Sequence, residues 1–224
     1  VANLQRFRTL WPSRFLRIVA LLRHGSIPLN AVVVVPLCCY PSLNEPSVRL
    51  RRSQFSQSIL NRGRFPAHGM DGESVQEMHA PNSICFGCGP ANVDGLRIRS
   101  FPIENGLEMT FQTSDHHQAF PGIINGGIIG TLLDCHGNWT AAMAIMADRG
   151  DDEAPCTVTA RYTIKLRRPT PHGVPLHITS HVESVEGDRA EVSMTLTAEG
   201  EICAQGDGLF VAVKEGHPAW HRWH

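Results

Sequence analysis

Along the second half of the chain the spacing of apolar residues changes twice, and each change marks a different kind of element. Ile128, Ile129, Leu132, Leu133, Trp139, Met143 and Met146 recur at the three-and-four spacing of a helix, and Arg149 with Gly150 closes the run. The spacing predicts one long helix, apolar almost all round in its first half, and such a helix is enclosed by other structure rather than laid on a surface. On both sides the pattern is that of strands. Residues 96–101 and 107–112 read as an antiparallel pair joined through Glu104, Asn105 and Gly106, where Asn-Gly is a strong hairpin signal. After the helix, strand-like runs at 157–166, 176–185, 190–198 and 202–213 are separated by turns such as Glu186-Gly187-Asp188 and Glu199-Gly200-Glu201.

The predicted order is two strands, one buried helix, then a meander of about four strands. This is an α+β domain in which an antiparallel sheet of about five to six strands must curl around a single helix to bury it. A curled sheet of this kind leaves an edge strand and an apolar flank exposed, so self-association as a homodimer or a dimer of dimers is expected.

Charge divides the chain. Residues 1–69 hold ten arginines, no lysine and one acidic residue, Glu45; residues 70–224 hold twenty acidic against ten basic residues. Parts with such different statistics are not expected to share a core, so a boundary is placed near Met70, with the folded domain at 70–214 and a tail at 215–224. Arg6, Arg8, Arg14, Arg17 and Arg23 alternate with Leu4, Phe7, Leu10, Trp11, Phe15, Leu16, Ile18 and Val19. Two readings of this leader stay open: an organelle transit segment, or upstream sequence translated ahead of a start at Met70. The compartment expected is the cytoplasm, or the mitochondrial matrix if the leader is a transit segment. The apolar run at 31–40 contains Pro36 and is far shorter than a bilayer span requires, so no transmembrane helix is expected. Seven cysteines without a regular framework point to reduced thiols. An acidic folded part without a basic stripe argues against nucleic-acid binding.

Candidate chemistry concentrates at 117–134, HQAFPGIINGGIIGTLLD. Gly126 and Gly127 stand where loop becomes helix, so unpaired N–H groups there offer an anion site that suits a carbonyl turning into an oxyanion. The same glycines also serve simple close packing. Asp134 lies eight residues on, near the face on which the helix begins, and a carboxylate in an apolar run is costly to bury without a partner or a task. A hydrogen bond to Asn138 is the plain alternative. Cys85 and Cys88 form a CxxC, but no second CxxC or HxxxH follows, so they read as at most half of a zinc site. Adjacent His116 and His117 seldom converge on one ion, and His136 reads as packing near a dimer seam. Lys165, Arg167 and Arg168 suit either phosphate or plain solvation of a strand end.

CFGCG at 85–89, GLRIRS at 95–100, HQAFPGIINGGIIGTLLD at 117–134 and TARYTIKLRRPTPHG at 159–173 resemble hotdog-fold acyl-CoA thioesterases of the phenylacetate-degradation type, over about 140 residues. The resemblance implies hydrolysis of acyl-CoA thioesters, of small or medium and also aromatic acyl groups, with coenzyme A as part of the substrate and neither metal nor cofactor. It implies that the Gly126 N–H polarises the thioester carbonyl, that Asp134 acts as nucleophile or as general base, and that Thr159 assists the attacking water. Gln118 or His117 would help hold the thioester, with Asn125, Gly127, Arg167 and Arg168 lining the substrate. The chain departs from the family at Asn125, where histidine is usual; asparagine is a good helix N-cap and hydrogen-bonding group. Two other classes remain in view. A hotdog hydratase or dehydratase would need a catalytic histidine in a different spacing from His117 and Asp134, and a non-catalytic acyl-CoA binding domain would need no carboxylate.

Overall fold

A computed structural model describes residues 72–220. The Arg-rich leader, the boundary at Met70, the apolar run at 31–40 and the last four residues of the tail lie outside the described residues.

The lead-in contains an element that the sequence reading passed over. Ser74 caps the short helix α1 (Val75–His79): its hydroxyl accepts from the Glu77 N–H while the Glu77 carboxylate accepts from the Ser74 N–H. The first strand is also displaced. Residues 96–100 are not in the sheet; Leu96 and Ile98 donate instead to the Phe86 and Gly87 carbonyls, and Arg97 has a positive φ of 50°. The sheet begins only at β1 (Phe101–Ile103), which pairs with β2 (Gly106–Gln112) through a turn in which Asn105 takes φ 57°. A small hairpin, β3 (Gln118–Phe120) and β4 (Ile123–Ile124), leads into α2 (Gly126–Arg149), which Gly150 ends in the left-handed conformation.

After α2 come β5 (Thr157–Leu166), β6 (Pro175–Glu186), β7 (Arg189–Ala198) and β8 (Glu201–Ala212). Among the described residues these complete a six-stranded antiparallel sheet in the order β1-β2-β6-β7-β8-β5, the hotdog arrangement of one sheet around one long helix. The expected four-strand meander is corrected in one respect: β5 does not pair with β6 but with β8, at the opposite edge from β1. The long helix carries the chain along the sheet, and the strand that follows it enters at the far side.

Buried residues alternate strictly along β7, so one face of the sheet meets the helix. Leu132, Leu133, Trp139 and Ile145 pack there with Leu107, Met109, Ile178, Met194, Leu196 and Phe210. The enclosure of α2 is the reverse of the expectation. From His136 to Ile145 every residue is buried, whereas the first half leaves one side half-exposed. Gly137 explains how the second half comes so near: a Cβ there would strike the Met194 sulfur and the Phe210 ring.

His136 lies wholly inside, between α1 and β2. Its Nε2 meets the Leu107 carbonyl at 3.1 Å, which can only accept, so Nε2 carries the proton and Nδ1 accepts from the Ser100 hydroxyl at 2.8 Å. Ser100 in turn accepts from the Gln76 amide. Burial pushes the His136 pKa down to about 4, against the pull of the Leu107 carbonyl, so the ring is neutral and serves as a bolt between elements.

Candidate active site

The start of α2 is fixed by Asn125, whose side-chain oxygen accepts from the Gly127 N–H at 2.7 Å while its own N–H donates to the His117 carbonyl. This is the N-cap role expected of asparagine, and it removes Gly127 from the list of free donors. Among the described residues the exposed Gly126 N–H has no acceptor. Replacing Asn125 with Ala should lower stability by about 1 kcal/mol, read as a fall of roughly 2–4 °C in melting temperature; an unchanged melting point would show that the cap is idle.

From Gly126 the helix runs antiparallel to β5, with small or polar residues on the facing side. A methyl on Gly126 would lie 3.5 Å from Leu166, and one on Gly130 would lie 3.8 Å from Ile164 and from the Tyr162 hydroxyl. Next, the Thr159 hydroxyl donates to an Asp134 carboxylate oxygen at 2.7 Å, and finally the Thr157 hydroxyl donates to the Asn138 side-chain oxygen at 2.8 Å. β5 carries a bulge at Ala160, where its pairing with β8 shifts between Thr159 and Arg161. That bulge turns Tyr162, rather than Arg161, toward the helix.

Asp134 is half-buried, on the side of α2 that faces β5. Tyr162 was not picked out from the sequence, since strict alternation from Thr159 points it outward. Its phenol pKa is raised by burial first and then by the charges of Asp134 and Cys135, which places it among the groups around the carboxylate.

Other expected residues sit elsewhere. The Gln118 amide donates to the Asp115 carbonyl and accepts from the Gly122 N–H, so both of its ends are committed within its own loop. His117 is buried against Phe111, with Nδ1 accepting from the Ser114 N–H, and burial followed by the charges of His116 and His172 lowers its pKa. It braces the loop rather than reaching toward a ligand. Arg167 and Arg168 follow directly on Leu166 and so stand beyond the helix start. Both are exposed; Arg167 donates to Gln205 at 3.1 Å and Arg168 pairs with Glu201 at 2.5 Å, surface contacts that are weak and easily exchanged. A cavity of about 400 Å³ lined by Ser74, Glu77, Pro90, Arg97, Ile98 and Arg99 belongs to the lead-in and includes none of the Asp134 group. The half-site reading of Cys85 and Cys88 also changes, because Cys135, next to Asp134, brings a third thiol to them.

One distance bears on mechanism. Eight residues separate Gly126 from Asp134, about 12 Å along the axis. Within one chain the free amide and the carboxylate therefore cannot both touch one carbonyl group, although they share a side of the helix.

No family model matches the chain. Over 117 residues it is 27% identical to acyl-coenzyme A thioesterase THEM4 of Rattus norvegicus, a match that covers 51% of this chain and 46% of that protein, so the chain spans about half the length of that relative. Of solved structures, zebra fish thioesterase superfamily member 2 is 20% identical, with 55% of this chain and 90% of that one covered at a TM-score of 0.45. A thioesterase superfamily protein from Shewanella loihica PV-4 is 30% identical, with 56% of this chain covered at a TM-score of 0.46. The match to the Shewanella protein extends over 98% of that chain, so the present chain is similar to a thioesterase superfamily protein.

Proposed function

We propose that the chain hydrolyses acyl-coenzyme A thioesters to free acid and coenzyme A, as the name of its rat relative describes for that protein. The observation that carries this reading is the Asp134 carboxylate, half-buried in α2 and held by the Thr159 hydroxyl at 2.7 Å. Acting as general base, Asp134 takes a proton from water as the water oxygen attacks the thioester carbon. The oxyanion formed needs a donor, and the Gly126 N–H is free to give one. Collapse breaks the C–S bond, and the proton held by Asp134 passes to the leaving sulfur. Acting instead as nucleophile, the carboxylate would displace the coenzyme A thiolate, breaking the C–S bond and forming a mixed anhydride. Water then opens the anhydride to the free acid and restores the carboxylate, and the proton released ends on the thiolate. In both routes Thr159 orients the carboxylate.

The 12 Å spacing gives assembly a reason. A two-fold pair that sets the Gly126 end of one subunit against Asp134 of the other would bring amide and carboxylate to one carbonyl. The free edge of β5, which carries Thr159, and the half-exposed side of α2 support a homodimer or a dimer of dimers. Arg167 and Arg168, beyond the helix start, are placed to exchange their surface partners for the phosphates of coenzyme A. This reading is of the phenylacetate-degradation type and is expected to operate in the cytoplasm or the mitochondrial matrix. No helix among the described residues is long and apolar enough to cross a membrane.

The test is release of free coenzyme A thiol from a panel of acyl-CoAs, short, medium and aromatic. Catalytic thiol release is the expected result. Hydration of an enoyl-CoA without thiol release, or saturable binding without turnover, would overturn the reading in favour of a hydratase or of a binding domain.

A further inference from the structure

The chain brings three thiols from two distant segments to one point. Cys85 and Cys88 belong to the lead-in loop, Cys135 to α2, and their sulfur atoms all lie within 4.8 Å of one another, Cys85 and Cys135 at 3.9 Å. Three thiolates around one zinc ion, each bonded at about 2.3 Å, stand roughly 4 Å apart. The sulfurs are thus within an ångström of that arrangement before any ion arrives.

The surroundings are built for this approach. The Leu96 and Ile98 N–H groups donate to the Phe86 and Gly87 carbonyls, the Asn92 amide donates to the Ile84 carbonyl, and the Gly89 N–H closes the turn onto the Cys85 carbonyl. The loop is thereby held from its outer side while α2 holds Cys135. Gly87 sits between them, and a Cβ there would strike the Cys135 sulfur. The buried Trp139 indole N–H donates to the Cys88 sulfur at 3.3 Å, a contact that stabilises charge on a ligating sulfur. Cys88 and Cys135 are enclosed, whereas Cys85 is open to solvent, so an ion has a way in.

We propose that Cys85, Cys88 and Cys135 form a three-thiolate site for a soft metal ion of the zinc(II) class, which staples the lead-in loop to the catalytic helix one residue beyond Asp134. Three protein ligands leave a fourth position to solvent or to an outside ligand. Soft sulfur donors select such ions over magnesium or calcium. On binding, the thiol protons pass to the medium and three S–metal bonds form; no oxidant or reductant takes part.

Cys38 and Cys39 are replaced by Ser so that binding reports on the remaining five of the seven cysteines, of which Cys156 and Cys203 lie outside the cluster. The full chain, stripped with a chelator and kept reduced by a phosphine, is titrated with cobalt(II). The expected result is one cobalt per chain with thiolate-to-cobalt charge-transfer absorption that zinc(II) abolishes, and at least about 100-fold weaker binding in Cys85→Ser. Absence of the band, or undiminished binding in Cys85→Ser, overturns the site. Because Ser at the buried Cys88 or Cys135 can prevent folding, a second measurement uses unaltered thiols. Zinc(II) should protect Cys85 from alkylation, read by mass spectrometry, and equal labelling with and without zinc overturns the site as well. An air-formed Cys85–Cys135 disulfide in the absence of metal, with no cobalt bound after reduction, would instead assign the cluster to thiol redox chemistry.

Discussion

Asp134→Asn should lower the turnover of acyl-CoA hydrolysis at least about 100-fold while leaving substrate affinity nearly unchanged. A 100-fold loss corresponds to about 2.7 kcal/mol of transition-state stabilisation. The substitution is selective because asparagine keeps the shape of aspartate and a side-chain oxygen that can still accept from the Thr159 hydroxyl, the contact seen at 2.7 Å. It cannot take a proton from water or attack a carbonyl carbon, so both chemical routes fail while the fold is retained. The loss should appear in kcat and not in KM, since an interaction made only in the transition state is removed. Turnover equal to that of the parent chain would remove Asp134 from the mechanism, whatever the affinity.

Asp134 was readable from local order, whereas Thr159 was named only through the family resemblance. Helix periodicity, the Asn125 cap and the Gly150 stop set the limits of α2 and so the face on which Asp134 lies. The strand that carries Thr159 was bounded correctly by its turns. What escaped depends on contacts between distant segments or on a local irregularity. The neighbour of β5 is decided by how the chain travels along the helix, which no window of residues records. Cys135 meets Cys85 across a separation of 50 residues, and a search for paired CxxC or HxxxH spacings passes over such a meeting. Tyr162 was hidden by one extra residue at Ala160, because a bulge reverses the inside and outside of everything after it. Gln118 and His117 were judged by residue type, whereas their loop uses both to hold itself together. The capping box of α1 was legible in Ser74-Val75-Gln76-Glu77 and simply not sought in a polar lead-in.

Gly137→Ala should change sign according to what stands opposite it. In the parent chain the added methyl meets the Met194 sulfur and, 2.9 Å away, the Phe210 ring, so the fully buried half of α2 must lift from β7 and β8. Overpacking of this kind costs about 1–3 kcal/mol, against a gain of about 1 kcal/mol from replacing glycine inside a helix, and the balance is a loss. Phe210→Ala alone should cost about 3–5 kcal/mol, because a fully buried ring is removed and the space closes only in part. In the Phe210→Ala background that space admits the new methyl and the flexible end of Met194. The overpacking then disappears, the helical gain remains, and Gly137→Ala becomes stabilising by about 1 kcal/mol. The four chains of this double-mutant cycle, unfolded in urea, should therefore show a coupling of roughly 1–3 kcal/mol between positions 137 and 210. Additive effects would mean that helix and sheet do not meet at these two residues. The register that sets Asp134, one turn earlier on the same helix, beside Thr159 would then lose its anchor.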